Sequence, residues 1–281
     1  MQGNITSPFE VSPDGFNEYC LKTFRYQAQN NSIFKEYLNH LNINPEKVSS
    51  IDDIVFLPVS FFKSHKIVCF EGEAELCFES SGTTGTHLSR HYVKDESIYL
   101  ESILRGFQIT YGDARQYSIL ALMPSTRQKK HSSLVFMLDS LIRYSEKPGS
   151  GFYNDFKTLS KALKRLSNDG SKFILFGLAS LLLELARQFP ITLGESGMII
   201  ETGGMKGQRE ELTREELHQY LRNAFRTESI HSEYGMTELL SQAYSIEDGV
   251  FRSPPWMKVV IRDIYDPLRA KKSLPYLKAG H

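Results

Sequence analysis

The sequence predicts an α/β protein whose sheet is mostly parallel and flanked by helices. From residue 92 onward, short apolar segments typical of buried strands alternate with segments of about 10–16 residues whose apolar positions recur at helical spacing. Residues able to cap helices stand before several of the latter, among them Asp95, Ser132 or Ser133, and Thr213, which has the capping-box spacing to Glu216. This alternation is typical of βαβ crossovers, which join parallel strands and cover both faces of their sheet.

The individual elements follow from the same spacing. Helices are predicted from Pro13 onward and at residues 30–41, 96–110, 134–144, 156–166, 178–189 and 210–225. Strands are predicted at residues 66–70, 75–79, 117–123, 172–176 and 198–201 and around Ile230. We expect residues 1–281 to form one domain, with residues 1–50 packed on it as a helical extension.

The composition excludes several classes of protein. The chain has 33 basic and 33 acidic side chains, so the formal net charge is zero and no basic excess points to nucleic acid. Apolar residues make up 41% and charged residues 23%, which is enough for a large core and unlike a disordered chain. Cys20, Cys69 and Cys77 form no CxxC pair, so neither a disulfide framework nor a zinc site is predicted.

No segment of the sequence predicts insertion into a membrane. The longest weakly polar run, residues 173–183, has 11 residues, whereas about 20 are needed to span a bilayer. The first residues, MQGNITSPFEVSPDG, contain neither a basic stretch nor an apolar stretch of the kind that directs export. A cytoplasmic location is therefore expected.

Ligands of parallel sheets bind in the loops that follow the carboxyl ends of the strands. Four loops of this kind are candidates for the functional site: residues 80–86, 124–133, 202–207 and 233–239. In the first, every residue is glycine or carries a hydroxyl, so the backbone can approach a polyanion closely and the hydroxyls can donate to phosphate oxygens. No GK[ST] follows, so this loop departs from the Walker A pattern, and a flexible Ser/Gly loop is the alternative.

The last loop contains a Tyr-Gly turn followed by a carboxylate. Tyr234 offers a ring face on which a purine can stack, Thr237 a hydroxyl for a phosphate, and Glu238 a carboxylate that can hold Mg²⁺. Taken alone, such a segment is more often a structural turn.

Taken together, SSGTTG at residues 80–85 and YGMTE at residues 234–238 resemble the adenylate-forming superfamily of acyl-CoA synthetases, luciferases and peptide-synthetase adenylation domains. Within it, the chain most resembles the LuxE-like acyl-protein synthetase family, the fatty-acid ligases of bacterial bioluminescence reductases. The phrases that carry this resemblance are LPVSFFKSH (57–65), FESSGTTG (78–85), HSSLVFMLDSLI (131–142), ETGGMKG (201–207), SEYGMTELLSQAY (232–244) and PPWMKVVIRD (254–263).

The resemblance implies a reaction in which the carboxylate of a fatty or aryl acid attacks the α-phosphate of ATP in the presence of Mg²⁺. Pyrophosphate then leaves and an acyl-adenylate forms. The resemblance also implies that Tyr234 and Gly235 flank the adenine, and that Thr237 and Glu238 are catalytic, the first contacting the α-phosphate and the second binding Mg²⁺. The β- and γ-phosphates would be held by Ser80, Ser81, Gly82, Thr83, Thr84 and Gly85.

Three further residues receive a role from the resemblance. Gly203 and Gly204 match the adenine-side turn of the family, with an ordinary strand-to-helix turn as an equal alternative. His131 stands where related ligases place a residue of the acyl pocket, directly before a predicted helix N-terminus that would favour a carboxylate. For His131, a structural histidine is the alternative.

Other features of the family have no counterpart that the sequence identifies. These are the aspartate that binds the ribose, the lysine of the small C-terminal lid, and the acyl-accepting cysteine near the end, since the last cysteine is Cys77. We therefore expect the chain to correspond to the large N-terminal domain of the adenylate-forming fold, with the C-terminal lid absent or truncated.

Two alternative functions stay open at the level of sequence. A phenylacetate-type acyl-CoA ligase would use CoA as the acceptor, whereas an acyl-protein synthetase would use the thiol of a partner protein such as an acyl reductase. A non-catalytic module that binds nucleotide or acyl groups is the other alternative.

Apolar residues around Trp256 and Tyr265 are expected to be partly exposed, which would favour a homo-oligomer.

Overall fold

Helices and strands alternate over most of the chain, and the computed structural model describes residues 7–80, 88–123, 131–203, 212–247, 249–263, 265–266, 268, 270–274 and 276–278. The α-helices of these residues are α1 (Phe16–Asn30), α2 (Ser32–His40), α3 (Phe61–Ser64), α4 (Glu96–Tyr111), α5 (Ser133–Ser145), α6 (Phe156–Asn168), α7 (Ala179–Gln188) and α8 (Arg214–Phe225). The strands are β1 (Leu76–Glu79), β2 (Arg90–Val93), β3 (Ser118–Leu122), β4 (Gly151–Tyr153), β5 (Phe173–Leu178), β6 (Gly197–Thr202), β7 (Ile230–Tyr234), β8 (Ala243–Ser245), β9 (Val250–Arg252), β10 (Val259–Arg262), β11 (Ala270–Leu274) and β12 (Tyr276–Lys278).

The largest sheet has the strand order β12-β9-β8-β7-β6-β5-β3-β4. Its neighbours β4, β3, β5, β6 and β7 run parallel, and β8 and β9 extend the sheet in the antiparallel direction. Helices lie between consecutive parallel strands in the chain, as βαβ crossovers require. The prediction of an α/β protein with a mostly parallel sheet is therefore confirmed.

Burial explains why these apolar segments form strands and helices. All five residues of β3 are buried, and β5 buries five of its six, as expected for strands covered on both faces. Leu159 and Leu163 of α6, Leu182 of α7 and Phe225 of α8 are fully buried in the same core. Each such side chain contributes roughly 1.5–3 kcal/mol to stability, so tertiary packing outweighs local helix or strand propensity.

The chain divides into two compact units. The first comprises Met1–Ile98, Thr237–Leu240 and Ser253–Tyr276, and the second comprises Tyr99–Met236, Ser241–Arg252 and Leu277–His281. The second unit contains the parallel strands. The first unit has its own apolar cluster, in which Phe24 of α1 packs with Phe34 and Leu38 of α2, and it contains the antiparallel pairs β1–β2 and β10–β11.

Three sequence-based predictions about single segments are wrong. Residues 66–70 form no strand. A strand there would have β1, the next strand in the chain, as its nearest partner, but among the described residues β1 pairs only with β2. The helix predicted at residues 210–225 begins at Arg214, because Thr213 is its N-cap and has an extended backbone. The assumption that residues 80–86 follow a parallel strand is wrong, because β1 is antiparallel to β2 and the rule for parallel sheets does not apply there. Residues 81–86 lie outside the described residues, so their phosphate-binding role stays a prediction.

The surface around Trp256 and Tyr265 is exposed in part, as expected. Tyr265 is 96% exposed, whereas Trp256 is half-buried with its ring edge-on to Phe9 at 4.9 Å between centroids.

In the part of the chain that the structure describes, every helix is too short or too polar to traverse a bilayer.

The predicted helix caps are confirmed at Asp95, Ser132 and Thr213. Asp95 Oδ1 accepts from the backbone N of Ser97 at 2.9 Å, and Ser132 Oγ accepts from the backbone N of Val135 at 3.3 Å. At α8 the capping box is complete: Thr213 Oγ1 accepts from the backbone N of Glu216 at 3.2 Å, and Glu216 Oε2 accepts from the backbone N of Thr213 at 2.8 Å.

The substitution Thr213→Ala removes one half of this capping box. We expect the free energy of unfolding to fall by about 1 kcal/mol, because one backbone N–H of the first helical turn loses its acceptor. Urea denaturation measures the change. Thr192→Ala, at an exposed threonine outside the helices, is the matched control and should shift stability by less than about 0.5 kcal/mol. Equal losses in the two variants would contradict the capping role.

Candidate functional site

Polar side chains gather where β6 and β7 end. The two strands are parallel and in register, with Glu201 beside Ser232 and Thr202 beside Glu233. All four residues are buried, and Glu233 has the largest exposed fraction at 6%. The carboxyl ends of parallel strands are where α/β sheets bind ligands. The second unit therefore has a buried polar cluster at its expected ligand-binding edge.

The carboxylate of Glu201 is hydrogen-bonded to residues of β7 and of α8. Its Oε1 accepts from Ser232 Oγ at 2.5 Å and from Arg214 Nε at 3.0 Å. Nε2 of His218, on α8, lies 3.5 Å from the same oxygen and 3.2 Å from the hydroxyl of Ser232. A buried carboxylate needs such partners, because an unpaired charge there would cost several kcal/mol. The network links α8 to the ends of β6 and β7.

Glu233 is the second buried carboxyl of the cluster. Its Oε2 accepts a hydrogen bond from the hydroxyl of Thr202. Burial raises the pKa of Glu233 to about 7, with the hydrogen bond from Thr202 lowering it and the charge of Glu201 raising it. At neutral pH, therefore, both the protonated and the ionised forms of Glu233 are populated.

Three buried tyrosines lie near Glu233: Tyr99 and Tyr111 on α4, and Tyr244 on β8. Burial raises the pKa of each phenol, and the charge of Glu233 raises it further. All three are therefore neutral at physiological pH. The hydroxyl of Tyr99 accepts from Gln242 Nε2 at 2.9 Å, whereas the buried hydroxyls of Tyr111 and Tyr244 have no partner within the described residues.

Tyr234 and Gly235 follow directly on this buried cluster: Tyr234 is the last residue of β7, and Gly235 is the first residue beyond the strand. Tyr234 is 45% exposed, with its ring edge-on to Phe251 at 6.1 Å between centroids. A Cβ atom on Gly235 would lie 2.7 Å from Oε1 of Glu233, so any larger residue would displace the buried carboxyl. Gly203, directly after β6, has a φ of +75°, which favours glycine.

Thr237 and Glu238 belong to the first unit, where both are half-buried. The carbonyl oxygen of Thr237 accepts from Nδ1 of His91 at 2.9 Å, and the ring of His91 packs edge-on to Phe62. Burial lowers the pKa of His91, and the Thr237 carbonyl and the nearby charge of Glu238 oppose that shift. A single, partly accessible carboxylate such as Glu238 fits Mg²⁺, which keeps several waters and needs only one or two carboxylates besides phosphate oxygens.

The remaining predicted site residues lie elsewhere. Ser80 follows β1, and its Oγ accepts from the backbone N of Ser89 at 3.0 Å. His131 is exposed and directly precedes Ser132, the N-cap of α5. Ser81, Gly82, Thr83, Thr84, Gly85 and Gly204 lie outside the described residues. The nucleotide and acyl roles of all these residues stay predictions.

The fold is that of adenylate-forming ligases. A 2-hydroxyisobutyryl-CoA ligase, solved with 2-HIB-AMP and CoA, matches with a TM-score of 0.62 at 11% identity, covering 92% of this chain and 58% of that chain. O-succinylbenzoate coenzyme A synthetase from Bacillus subtilis, solved with ATP and magnesium, matches with a TM-score of 0.41 at 16% identity, covering 77% of this chain and 50% of that chain. The chain thus spans less than two thirds of the length of either ligase. No curated protein sequence matches it.

The family is given by the sequence itself. Residues 6–273 match the model of the family described as acyl-protein synthetase, LuxE. Because this match covers nearly the whole chain, the protein belongs to the LuxE acyl-protein synthetase family. The resemblance inferred from SSGTTG, YGMTE and the longer phrases is confirmed.

Sequence reasoning assigned no role to the buried polar cluster. Glu201, Ser232 and Glu233 all lie within phrases that carry the family resemblance, yet only their neighbours were singled out. One indication was available: a carboxylate at the end of an otherwise apolar strand becomes buried and needs a partner. The partners Arg214 and His218 could not be identified, because they approach only after α8 packs on the sheet.

Proposed function

We propose that this protein activates a carboxylic acid as an acyl-adenylate with ATP and Mg²⁺, and then transfers the acyl group to a thiol. The observation that carries the proposal is the match of residues 6–273 to the acyl-protein synthetase family. The placement of Tyr234 and Gly235 supports it, because they lie at the carboxyl end of the parallel strand β7, where α/β sheets bind nucleotides. The proposed enzyme is an AMP-forming acid–thiol ligase.

The proposed reaction has two steps. In the first, a carboxylate oxygen attacks the α-phosphorus of ATP, the bond from that phosphorus to the bridging oxygen breaks, and pyrophosphate leaves. In the second, a thiolate attacks the acyl carbon and AMP leaves. The first step brings two anions together, so the site must offset their charge and align them.

The described residues suggest how that charge is offset. Tyr234 would stack on the adenine, and Gly235 and Gly203 would let the backbone approach the nucleotide. Thr237 would contact the α-phosphate, and Glu238 would hold Mg²⁺. The metal ion, when bound, neutralises charge on the phosphate oxygens. The hydroxyl-rich residues 80–85 would donate to the β- and γ-phosphates.

We further propose a long-chain fatty acid as the substrate and the thiol of an acyl reductase protein as the acceptor, both supported by the family. CoA is the alternative acceptor, as in phenylacetate-type ligases. His131 is proposed to line the acyl pocket; its place directly before the N-cap of α5 is compatible with contact to a carboxylate. A cytoplasmic location is part of the same proposal.

Pyrophosphate release tests the proposal. With the 281-residue chain, ATP and Mg²⁺, we expect slow release that depends on the added acid and is fastest with long-chain fatty acids in a panel that includes aryl acids. The rate should be low because no residue of this sequence is identified as the lysine that adds the last positive charge at the reacting phosphate. Omission of the acid and chelation of Mg²⁺ are the controls. ATP binding without turnover of any acid would contradict the enzyme and would instead support a non-catalytic nucleotide-binding module.

A labelled fatty acid separates the two acceptors. Transfer to a protein thiol gives a labelled protein band, whereas transfer to CoA gives a labelled small-molecule thioester. We expect the band with an acyl reductase present and little thioester with CoA alone. The reverse distribution would place the protein with the acyl-CoA ligases.

A further inference from the structure

Glu233 contacts residues at the carboxyl ends of two neighbouring strands, β6 and β7. Its Oε2 accepts from the hydroxyl of Thr202, the last residue of β6. Its Oε1 lies against Gly235, at 2.7 Å from the position of a Cβ on that glycine. The carboxyl therefore supports Tyr234 and Gly235 from the buried side, while the ring of Tyr234 is 45% exposed.

The groups that face Glu233 do not neutralise a negative charge. Tyr99 and Tyr111 on α4 and Tyr244 on β8 are neutral phenols. His231 on β7 stacks on Tyr111, and burial lowers the pKa of its ring to about 4, so it is neutral as well. Glu201, which pairs with Ser232 on the other face of the sheet, adds a second negative charge nearby. The hydroxyls of Tyr111 and Tyr244 have no partner among the described residues. Ionised Glu233 is therefore poorly compensated, whereas the neutral carboxyl suits this environment.

We propose that Glu233 is a positioning residue for ATP, and that its neutral carboxyl is the form that holds Tyr234 and Gly235 in place for the nucleotide. This inference rests on the proposed function, because it takes these two residues as part of the ATP site. Ionisation places a negative charge directly behind Gly235, where it repels both Glu201 and the polyanionic nucleotide. ATP affinity should therefore fall as Glu233 loses its proton.

Titration calorimetry with ATP and Mg²⁺ from about pH 5.5 to about pH 8.5 tests this, because the pKa of Glu233, raised to about 7, lies within that range. We expect the Kd of the natural chain to rise on the order of tenfold across it, a common size for coupling between two sites. Glu233→Gln keeps the shape without the charge, so it should bind tightly at both ends of the range. The phosphates of the nucleotide titrate equally for both proteins, so the ratio of the two Kd values isolates Glu233.

Two further substitutions address the bond between Glu233 and Thr202. Thr202→Val keeps the side-chain shape but removes the donor, so ATP should bind more weakly at every pH. Thr202→Ser keeps the hydroxyl and should restore binding. Glu184→Gln, at an exposed carboxylate of α7, is the matched control and should follow the natural chain. Circular dichroism and urea unfolding establish that each variant is folded.

The outcomes separate this inference from the proposed function. The same pH dependence of Kd in the natural chain and in Glu233→Gln would overturn the role of Glu233 and leave the ligase proposal standing. A second outcome is that Glu233→Gln loses the pH dependence of Kd while the natural chain shows no acid-dependent release of pyrophosphate. That outcome would support the positioning role of Glu233 and overturn the ligase proposal. No binding of ATP at any pH would overturn both.

Discussion

Glu238→Gln is expected to lower acid-dependent pyrophosphate release by roughly 10²–10³-fold at limiting Mg²⁺, the size typical of losing one charged contact in the transition state. The substitution keeps the side-chain volume but removes the anionic oxygen that Mg²⁺ prefers. Glu238 is half-buried, and its neighbour His91 keeps its hydrogen bond to the Thr237 carbonyl in the variant. Stability should therefore change little.

The measurement is the initial rate of pyrophosphate release as a function of Mg²⁺ concentration. Partial recovery at high Mg²⁺ is expected, because the phosphates and waters still offer ligands. Glu184→Gln makes the same chemical change on an exposed face of α7 and should keep the full rate. An unchanged rate for Glu238→Gln at limiting Mg²⁺ would refute the metal-binding role.

The sequence predicted the parallel sheet because its strands are continuous apolar runs. Segments such as residues 173–178 are buried on both faces, so their composition alone distinguishes them from surface strands. The helices were located because Asp95, Ser132 and Thr213 cap them with local hydrogen bonds that need no tertiary contact. Burial pattern and capping are local properties, and local properties can be read from sequence.

Features that depend on partners far apart in the chain were not predicted. Strands β8 and β9 have three residues each and were missed, because strands this short show no periodicity. The hydroxyl-rich loop at residues 80–86 was assigned to the parallel sheet, although the strand before it forms an antiparallel pair.

The candidate site shows the same division between local and distant information. Tyr234, Gly235, Thr237 and Glu238 were singled out because they are consecutive in a recognisable motif. The hydrogen bond between Thr202 and Glu233 links residues 31 positions apart and exists only because β6 and β7 pair in one register. A shift of that register by one residue would turn the side chain of Glu233 to the opposite face of the sheet.

The pH dependence of stability gives a second large expected effect, again at Glu233. Its pKa is about 7 in the folded chain against an ordinary value of 4.5. Below both values the folded and unfolded chains are protonated alike, so the protonated carboxyl contributes its full stability. As the pH rises from 4.5 towards 7, the unfolded chain loses its proton first. The free energy of unfolding therefore falls by roughly 3 kcal/mol over this interval and does not change further at higher pH.

Urea unfolding of the natural chain and of Glu233→Gln at about pH 5 and about pH 8 measures this contribution. Far-UV circular dichroism is the appropriate probe, because the single tryptophan, Trp256, belongs to the other unit. Other titrating groups cancel in the difference between the two proteins. We expect the natural chain to lose roughly 2–3 kcal/mol more than the variant between the two pH values, because only the natural chain must ionise a buried carboxyl. Glu184→Gln, exposed in both states, should lose as much as the natural chain. If the two proteins lose the same stability between the two pH values, to within about 0.5 kcal/mol, then Glu233 has an ordinary pKa in the folded protein. The pH dependence proposed for ATP binding would then lose its physical basis.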